Sequence, residues 1–566
     1  MQTAYYFTIN SYGRGERTQT FDLTVPNRAR YQLRHTPKEL FHYTAVYRIN
    51  LEYYCVCYDI NMISQITNKL FGNKNSDRTF WLAFTASIII AGASGLIIGL
   101  QQSLWFDDDY SVLLAMRPVG ELIHLTSIDV HPPLYYLLLK GWGMMFGWND
   151  LAMRSLSILF TVGALAVGGL LVRKMFGNRA AIGSMPLLAI APLLMRYGFE
   201  VRMYAMASCI GICATYALYS AWKSKSKTQI RWLIAYTALL ILGLYTVYSL
   251  ALLWIAHAVW VIYVMVRQRR KAKDLLPYVG VFAAAAVIYI PWLPTFVSQL
   301  SNGALGPIME PLKLDQLVGI FSFNAVYLPT DKVNVIQTAA LVAVIGVYIW
   351  AIPKARKKLQ AKSGELALLS MYMGVPIIIM MVVSLSRAMY VERYLSHVAI
   401  GMILLGGVVL VTAADAAKKR WQSYVAYLVV FGTFLIGVYN LASIGNFSNQ
   451  HQYKPTSREV ATSIGACPRD AKILADGPYV ASEIWFYMQN CNIYFTSQSD
   501  TLGGGFAPLS GSKFQVKNTG ELTDQRVMYV SYGEPTHPLP DTYAKQQTRT
   551  FGSMDVTTYE RIGASK

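Results

Sequence analysis

The sequence predicts an all-α polytopic membrane protein of about eleven spans, with one further helix lying at the outer membrane face and a small α/β domain at the C-terminus. Three observations carry this. Only 14% of the 566 residues are charged and 54% are hydrophobic, against about 25% charged in a soluble globular chain, and mean hydropathy is +0.33. The apolar residues fall in blocks near twenty long, the length that crosses ~30 Å of hydrocarbon at ~1.5 Å per helical residue. After Gly445 these blocks stop and a polar stretch of alternating segments begins.

In chain order, residues 1–61 are polar and aromatic without a sustained period. No apolar core precedes a small-residue cleavage site, so they do not read as a signal peptide; they are expected to be dispensable or an upstream start-site artefact. Met62 opens a cytoplasmic lead-in, and residues 1–79 together form a leader. The expected spans, making a membrane domain over 80–445, are Phe80–Leu100, Ser155–Val172, Ala180–Met195, Ala205–Trp222, Trp232–Thr246, Leu250–Val266, Pro277–Val297, Val335–Ile352, Leu366–Leu385, Leu395–Ala414 and Trp421–Ile444. Residues 446–566 follow as an extracytoplasmic domain. Its segments Lys472–Ala475, Ile493–Thr496 and Val527–Ser531 alternate as strands do, and helix-like Ser457–Ile464 and Ser482–Gln489 interleave with them.

The charges decide the one ambiguous stretch, Pro132–Trp148. If it does not span and the N-terminus is cytoplasmic, the inner loops are Arg173–Arg179, Lys223–Arg231, Arg267–Asp274, Lys354–Glu365 and Asp415–Arg420, with twenty Lys/Arg against three acids. If it spans, every later loop inverts and those clusters face outward, against the positive-inside rule. It is therefore read as an interfacial helix at the outer face. Tyr135, Tyr136, Trp142 and Trp148 suit the headgroup level, and Pro132 and Pro133 suit a helix start.

The net charge of +19 resides largely in these loop clusters and not on a basic face of a polar domain, which removes nucleic acid as a partner and leaves membrane lipids. Cys209 and Cys213 read as small residues of an apolar helix rather than a metal site. Cys467 and Cys491 can form a disulfide if the tail lies outside the cytoplasm.

The same topology collects a second set of residues on the outer face: FDDDY at 106–110, DVHPPLYY at 129–136, FEVRMY at 199–204, YTVYS at 245–249, the long segment 298–334, and RAMYVERY at 387–394. An isolated acidic run is most often a solvated cap, and a lone arginine at a helix end most often pairs locally, here with Glu200 or Glu392. Two features sharpen the reading. Trp105, Phe106 and Tyr110 keep the aspartates at an apolar boundary, where a carboxylate becomes a better base, and Arg202 and Arg393 share their face. Guanidinium forks suit a lipid-linked phosphate, and a carboxylate beside them suits removal of a proton from a hydroxyl. In DVHPP, Asp129 and His131 are placed to hydrogen-bond and hold the turn.

These strings, from FDDDYS through DVHPPLYYLLLKGWGMMFGWNDLAMRSLS, FEVRMYAM and YTVYS to RYLSHVAIG, resemble glycosyltransferase family 39 over about residues 80–445. That group has the GT-C fold and includes protein O-mannosyltransferases and lipid A aminoarabinose transferases. The resemblance implies a GT-C-type bundle and a polyprenyl-phosphate sugar as donor. It implies that Asp107, with Asp108 in the position where Glu is common, supplies catalysis; the third residue, Asp109, leaves the register open by one. Glu200, Arg202 and Tyr204 match the acidic-x-Arg-x-Tyr string and Arg393–Tyr394 the late RY pair. With Asp129 and His131 they are the expected substrate and donor-phosphate site.

The reading that follows is an inverting glycosyltransferase acting on an acceptor hydroxyl of a glycan, lipid or protein at the outer face of the plasma membrane. No required metal or cofactor is expected, although Asp107–Asp109 offer oxygen ligands for a divalent ion. The alternatives are a polymerase or ligase using diphosphate-linked oligosaccharides, a transporter or flippase of lipid-linked sugars, and a non-catalytic receptor. Transporters place ionisable residues at the bilayer midplane, whereas here they gather at the span ends.

Overall fold

The structure, a computed structural model, describes residues 76–301, 314–328, 332–386, 390–444 and 456–562, and before them only Tyr5–Tyr6 and Asp22–Leu23, short strands β1 and β2 paired antiparallel. The leader, Cys55, Cys57, Arg387 and the greater part of the 298–334 segment's first half lie outside the described residues. Residues Ser76–Lys566 form one compact unit.

Nine helices among the described residues are long and apolar enough to cross a membrane, or ten if one bent pair counts as a span. The chain is a multi-pass membrane protein. Nine of the expected spans correspond to these helices, and two differ. Ala180–Met195 is not one straight helix: Asn178–Ala189 and Pro192–Phe199 meet at 59°. Pro192 lacks a donor for the preceding turn and suits a fresh helix start instead. Trp232–Thr246 belongs to the 19-residue helix Ser226–Leu244, which falls outside the nine because Lys227, Gln229 and Arg231 make its opening turns polar. Helix Leu134–Phe146 has 13 residues, about 20 Å at helical rise, too short to cross as the charge argument requires.

Local chemistry accounts for where these helices begin and how close they come. Asn149 caps Asp150–Phe176 by accepting the Ala152 N–H at 2.9 Å, and Asn334 with Gln337 forms a reciprocal capping box on Val335–Gln360. Gly177, at φ +92°, makes the reversal into Asn178–Ala189. Gly407 lies so near Ser184 that a Cβ there would sit 2.5 Å from its Oγ, the small-residue contact by which membrane helices approach without a hydrophobic drive.

Hydrogen bonds and ion pairs separate the bundle's two ends. At one end Arg173 meets Asp77 at 2.7 Å, Lys223 meets Glu365 at 2.8 Å and Arg179 meets Asp415 at 2.8 Å. These residues lie in or beside the basic loops. The opposite ends of the same helices carry Leu100, Arg154, Tyr204 and Ser396, and it is there that the acidic, HPP and arginine motifs converge.

The C-terminal region packs on that second end. It contains a six-stranded sheet in the order β5-β4-β3-β6-β8-β7, where β3 is Lys472–Ala475, β4 Ile493–Thr496, β5 Gln515–Val516, β6 Arg526–Ser531, β7 Tyr543–Phe551 and β8 Met554–Arg561. The first four in that order are parallel and the last two antiparallel. Strand alternation splits the core. Ile473, Ala475, Met528 and Val530 face helices Ser457–Ile464 and Gly477–Trp485, while Leu474, Val527 and Tyr529 join Leu522 and Tyr543 on the other face.

Cys467 and Cys491 are bonded to each other, as their placement in the polar tail allowed. The bond closes a loop of separation 24, for which chain entropy gives about 3.5 kcal/mol of stabilisation. Replacing both cysteines by serine is expected to lower the thermal midpoint of the C-terminal region, and added reductant should do the same to the wild type. A midpoint insensitive to both would show that the bond contributes nothing.

Candidate functional site

Helix Phe106–Met116 opens with three aspartates in its first turn, where the helix dipole favours negative charge. Successive residues on a helix point about 100° apart, so the three carboxylates go three ways. Asp107 Oδ2 lies 3.5 Å from Arg393 Nη1, and its side chain keeps 16% exposure. Asp108 turns inward: Oδ1 accepts the Val201 N–H at 2.7 Å, Oδ2 stands 3.9 Å from Arg154 Nη1, and the side chain is 1% exposed. Burial, and then the neighbouring Glu200 charge, push its carboxyl up to about 7. Asp109 is fully buried on the side of the C-terminal domain. Burial, followed by the charges of Glu483, Asp108 and Asp150, raises it well above the usual range.

The three aspartates thus differ in accessibility and partners. Asp108, expected beside Asp107 in catalysis, is a buried strut whose carboxylate is held by a backbone N–H and faces an arginine. Only Asp107 of the three reaches the arginine pair.

Arg202 comes from the short turn between helices Pro192–Phe199 and Tyr204–Lys223. One of its nitrogens, Nη1, donates to Tyr136 OH at 3.1 Å, Ser111 Oγ at 3.2 Å and the Asp107 carbonyl at 3.4 Å. The residue is buried, and its pKa lies above the ordinary value: burial opposes the charge, but the nearby Tyr136 and Asp107 outweigh it. The Nε atoms of Arg202 and Arg393, the Tyr204 hydroxyl and Asp107 Oδ2 are all buried without a hydrogen-bond partner. Buried polar atoms are ordinarily satisfied, and three such donors beside one carboxylate are chemically suited to hold an anion. Tyr394 adjoins this group, with the Arg393 guanidinium 6.0 Å from its ring.

The remaining expected residues form the layer behind. Tyr110 OH donates to Asp129 Oδ2 at 2.9 Å, and His131 Nδ1 lies 3.4 Å from the same oxygen. Burial opposes ionisation of Asp129, yet the hydrogen bond to His131, the Arg202 charge and the hydrogen bond from Tyr110 keep it below the usual carboxylate value; burial drives His131 below its ordinary value. The pair thus fixes the HPP turn to the acidic helix. Leu134 N–H also donates to the Tyr245 carbonyl at 3.1 Å, which joins that turn to YTVYS.

Glu200, expected among the phosphate-binding residues, faces elsewhere. It is completely buried, accepting from Trp105 Nε1 at 2.7 Å and from Arg196 at 3.2 Å. Tyr136, expected at the headgroup level, is instead fully buried against Arg202, and Ser111 and Arg154 were not singled out in the sequence although each lies inside a quoted string. A lone arginine, Arg154, in the first turns of an apolar helix was the one available signal. Among the described residues no three His, Cys, Asp or Glu side chains are grouped to hold a metal ion.

Residues 130–294 match the family model for dolichyl-phosphate-mannose-protein mannosyltransferase. No curated protein matches the chain significantly. The crystal structure of ArnT from Cupriavidus metallidurans in the apo state is similar over 85% of this chain and 98% of that one, at 13% identity and a TM-score of 0.56. The same protein bound to undecaprenyl phosphate is similar over 86% and 98%, at 14% identity and a TM-score of 0.53. The fold is therefore the expected ArnT-like GT-C architecture with a small C-terminal sheet domain.

Glu483, on the helix that faces Asp109, is pushed up to about 8, chiefly by burial. A carboxyl raised on folding contributes stability that is complete below its unfolded value near 4.5 and is lost as pH rises through about 8. Unfolding midpoints are accordingly expected to fall between pH 5 and 9 in the wild type and to fall less in Glu483→Gln. Parallel profiles would remove Glu483 as the source.

Proposed function

We propose that this protein is an inverting glycosyltransferase that moves a sugar from a polyprenyl-phosphate donor to an acceptor hydroxyl at the outer membrane face. The observation that carries it is the Asp107–Arg393–Arg202–Tyr204 group, with unfilled donors around one accessible carboxylate at the end of a membrane bundle. The resemblance of fold to a protein crystallised with undecaprenyl phosphate supports the donor class.

In this reading the donor phosphate occupies the space lined by Arg202 Nε, Arg393 Nε and the Tyr204 hydroxyl. The acceptor hydroxyl attacks the anomeric carbon from the opposite face and gives its proton to Asp107. The bond from that carbon to the phosphate oxygen breaks, and the arginines stabilise the charge left on the lipid phosphate. One displacement with one base and no enzyme nucleophile inverts the anomeric centre. Charge neutralisation by two arginines leaves no step that needs a metal.

Two independent features support the outward orientation. The Lys/Arg-rich loops lie at the end opposite the site, and the disulfide in the domain covering the site suits an oxidising compartment.

Purified protein, a panel of radiolabelled polyprenyl-phosphate sugars and envelope acceptors test the reading. Asp107→Asn is expected to lose about 10²–10⁴-fold in transfer while still binding polyprenyl phosphate. Arg202→Ala and Arg393→Ala should each weaken that binding by roughly tenfold or more, the scale of a charged hydrogen bond. Full transfer by Asp107→Asn refutes its role as base. Activity only with diphosphate-linked donors favours the polymerase or ligase alternative. Transfer is also expected to survive chelation by EDTA, and a loss restored by a divalent ion would introduce a metal that this mechanism lacks.

A further inference from the structure

Resting on the glycosyltransferase reading above, we propose that Arg458 of the C-terminal domain, acting through Asp150 and Tyr487, is a positioning residue for Asp107, so that this domain aims the catalytic loop. The joint lies at residues 100–105, the segment that leads from the first span into the acidic helix. Arg458 Nη1 donates to the Leu100 carbonyl at 2.8 Å, and Nη2 donates to the Gln102 carbonyl at 3.1 Å and to Asp150 Oδ2. Tyr487, from the same domain, donates to Asp150 Oδ2 at 2.9 Å and accepts the Leu104 N–H at 2.7 Å.

The membrane bundle grips the same segment from the other side. Arg154 donates to the Gln102 carbonyl at 3.0 Å, to the Phe199 carbonyl at 3.2 Å and to Asp150 Oδ1 at 2.7 Å. The Gln102 carbonyl thus receives one guanidinium from each domain, and Asp150 bridges the two guanidinium groups with one oxygen each. Asp107 begins only five residues further on, as the second residue of a helix whose start follows directly from this turn. Loss of the C-terminal partner leaves Arg154 and Asp150 to hold the segment alone. A shift of about 1 Å at a general base is enough to cost about 10²-fold in rate.

Neither Arg458 nor Tyr487 contacts the Arg202–Arg393 group, so their effect falls on turnover and not on donor binding. Arg458→Ala is expected to lower kcat about 10- to 100-fold with the donor KM within about twofold. Tyr487→Phe, which preserves shape and packing, is expected to lower kcat by a smaller factor in the same direction. Arg117→Ala is the comparison, because it removes a different contact between the domains, Arg117 Nη2 to the Pro508 carbonyl at 2.7 Å; its kcat should stay at the wild-type level. Amide exchange of residues 101–105, measured on the full chain without substrate, should speed up in Arg458→Ala and Tyr487→Phe but not in Arg117→Ala.

Equal losses in all three variants, or kcat and KM shifting together, would mean that the domain merely docks and would overturn the positioning role. Unchanged exchange at 101–105 overturns it as well, whatever the activity. Absence of wild-type transfer with every donor would sink the underlying glycosyltransferase reading, a result distinguishable from either of these.

Discussion

A guanidinium buried to 1% exposure is tolerable only when its donors are filled, and Arg154 meets that demand by drawing in three separate parts of the chain. It binds the turn after the first span, the turn before Arg202 and the acid at its own helix start. Asp108 faces it from the acidic helix. Most of the polar geometry at this end of the bundle follows from that one buried cation. The segment that aims Asp107 and the segment that aims Arg202 are fixed relative to one another because they share its donors.

Around this hub the acids divide into roles by environment. Asp107, next to an arginine and partly accessible, is placed for chemistry. Asp108, Glu200 and Asp150 are structural carboxyl groups that hold backbone, an indole N–H or a guanidinium in place. Asp109 and Glu483 are buried where the acidic helix meets the C-terminal domain, and burial favours their neutral forms. Neutral carboxyls there spare the contact a repulsion between like charges. Carboxyl groups within one turn of helix and its surroundings therefore meet three environments: partly accessible beside an arginine, buried against backbone and cations, and buried at the contact with the C-terminal domain.

The membrane imposes the second constraint. Charged residues gather at the span ends, and the ends differ: one carries the basic loops with their local ion pairs, the other the anion-seeking arginines beneath a sheet domain with a disulfide. An enzyme drawing a lipid-linked donor from the bilayer and an acceptor from water needs a site at such a boundary. The C-terminal domain contributes there through Arg458 and Tyr487, and by stacking Tyr479 on Phe106 at 4.7 Å.

By itself the sequence determined the helical membrane class, nine of the spans, the non-spanning Leu134–Phe146 helix and the C-terminal α/β region. Hydrophobic block length, loop charge and strand alternation are local properties that the bilayer and the sheet enforce directly. It also brought together the motifs that hold Asp107, Arg202 and Arg393, because topology sorts loops by end. Only the tertiary structure separated Asp107 from Asp108, since that choice depends on which of three directions around a helix meets the arginines. Only it turned Glu200 toward Trp105 and Arg196 and revealed Arg154, Asp150 and Arg458, which lie up to 308 residues apart. Such partnerships arise from side chains meeting across packed elements, and no local pattern along the chain records them.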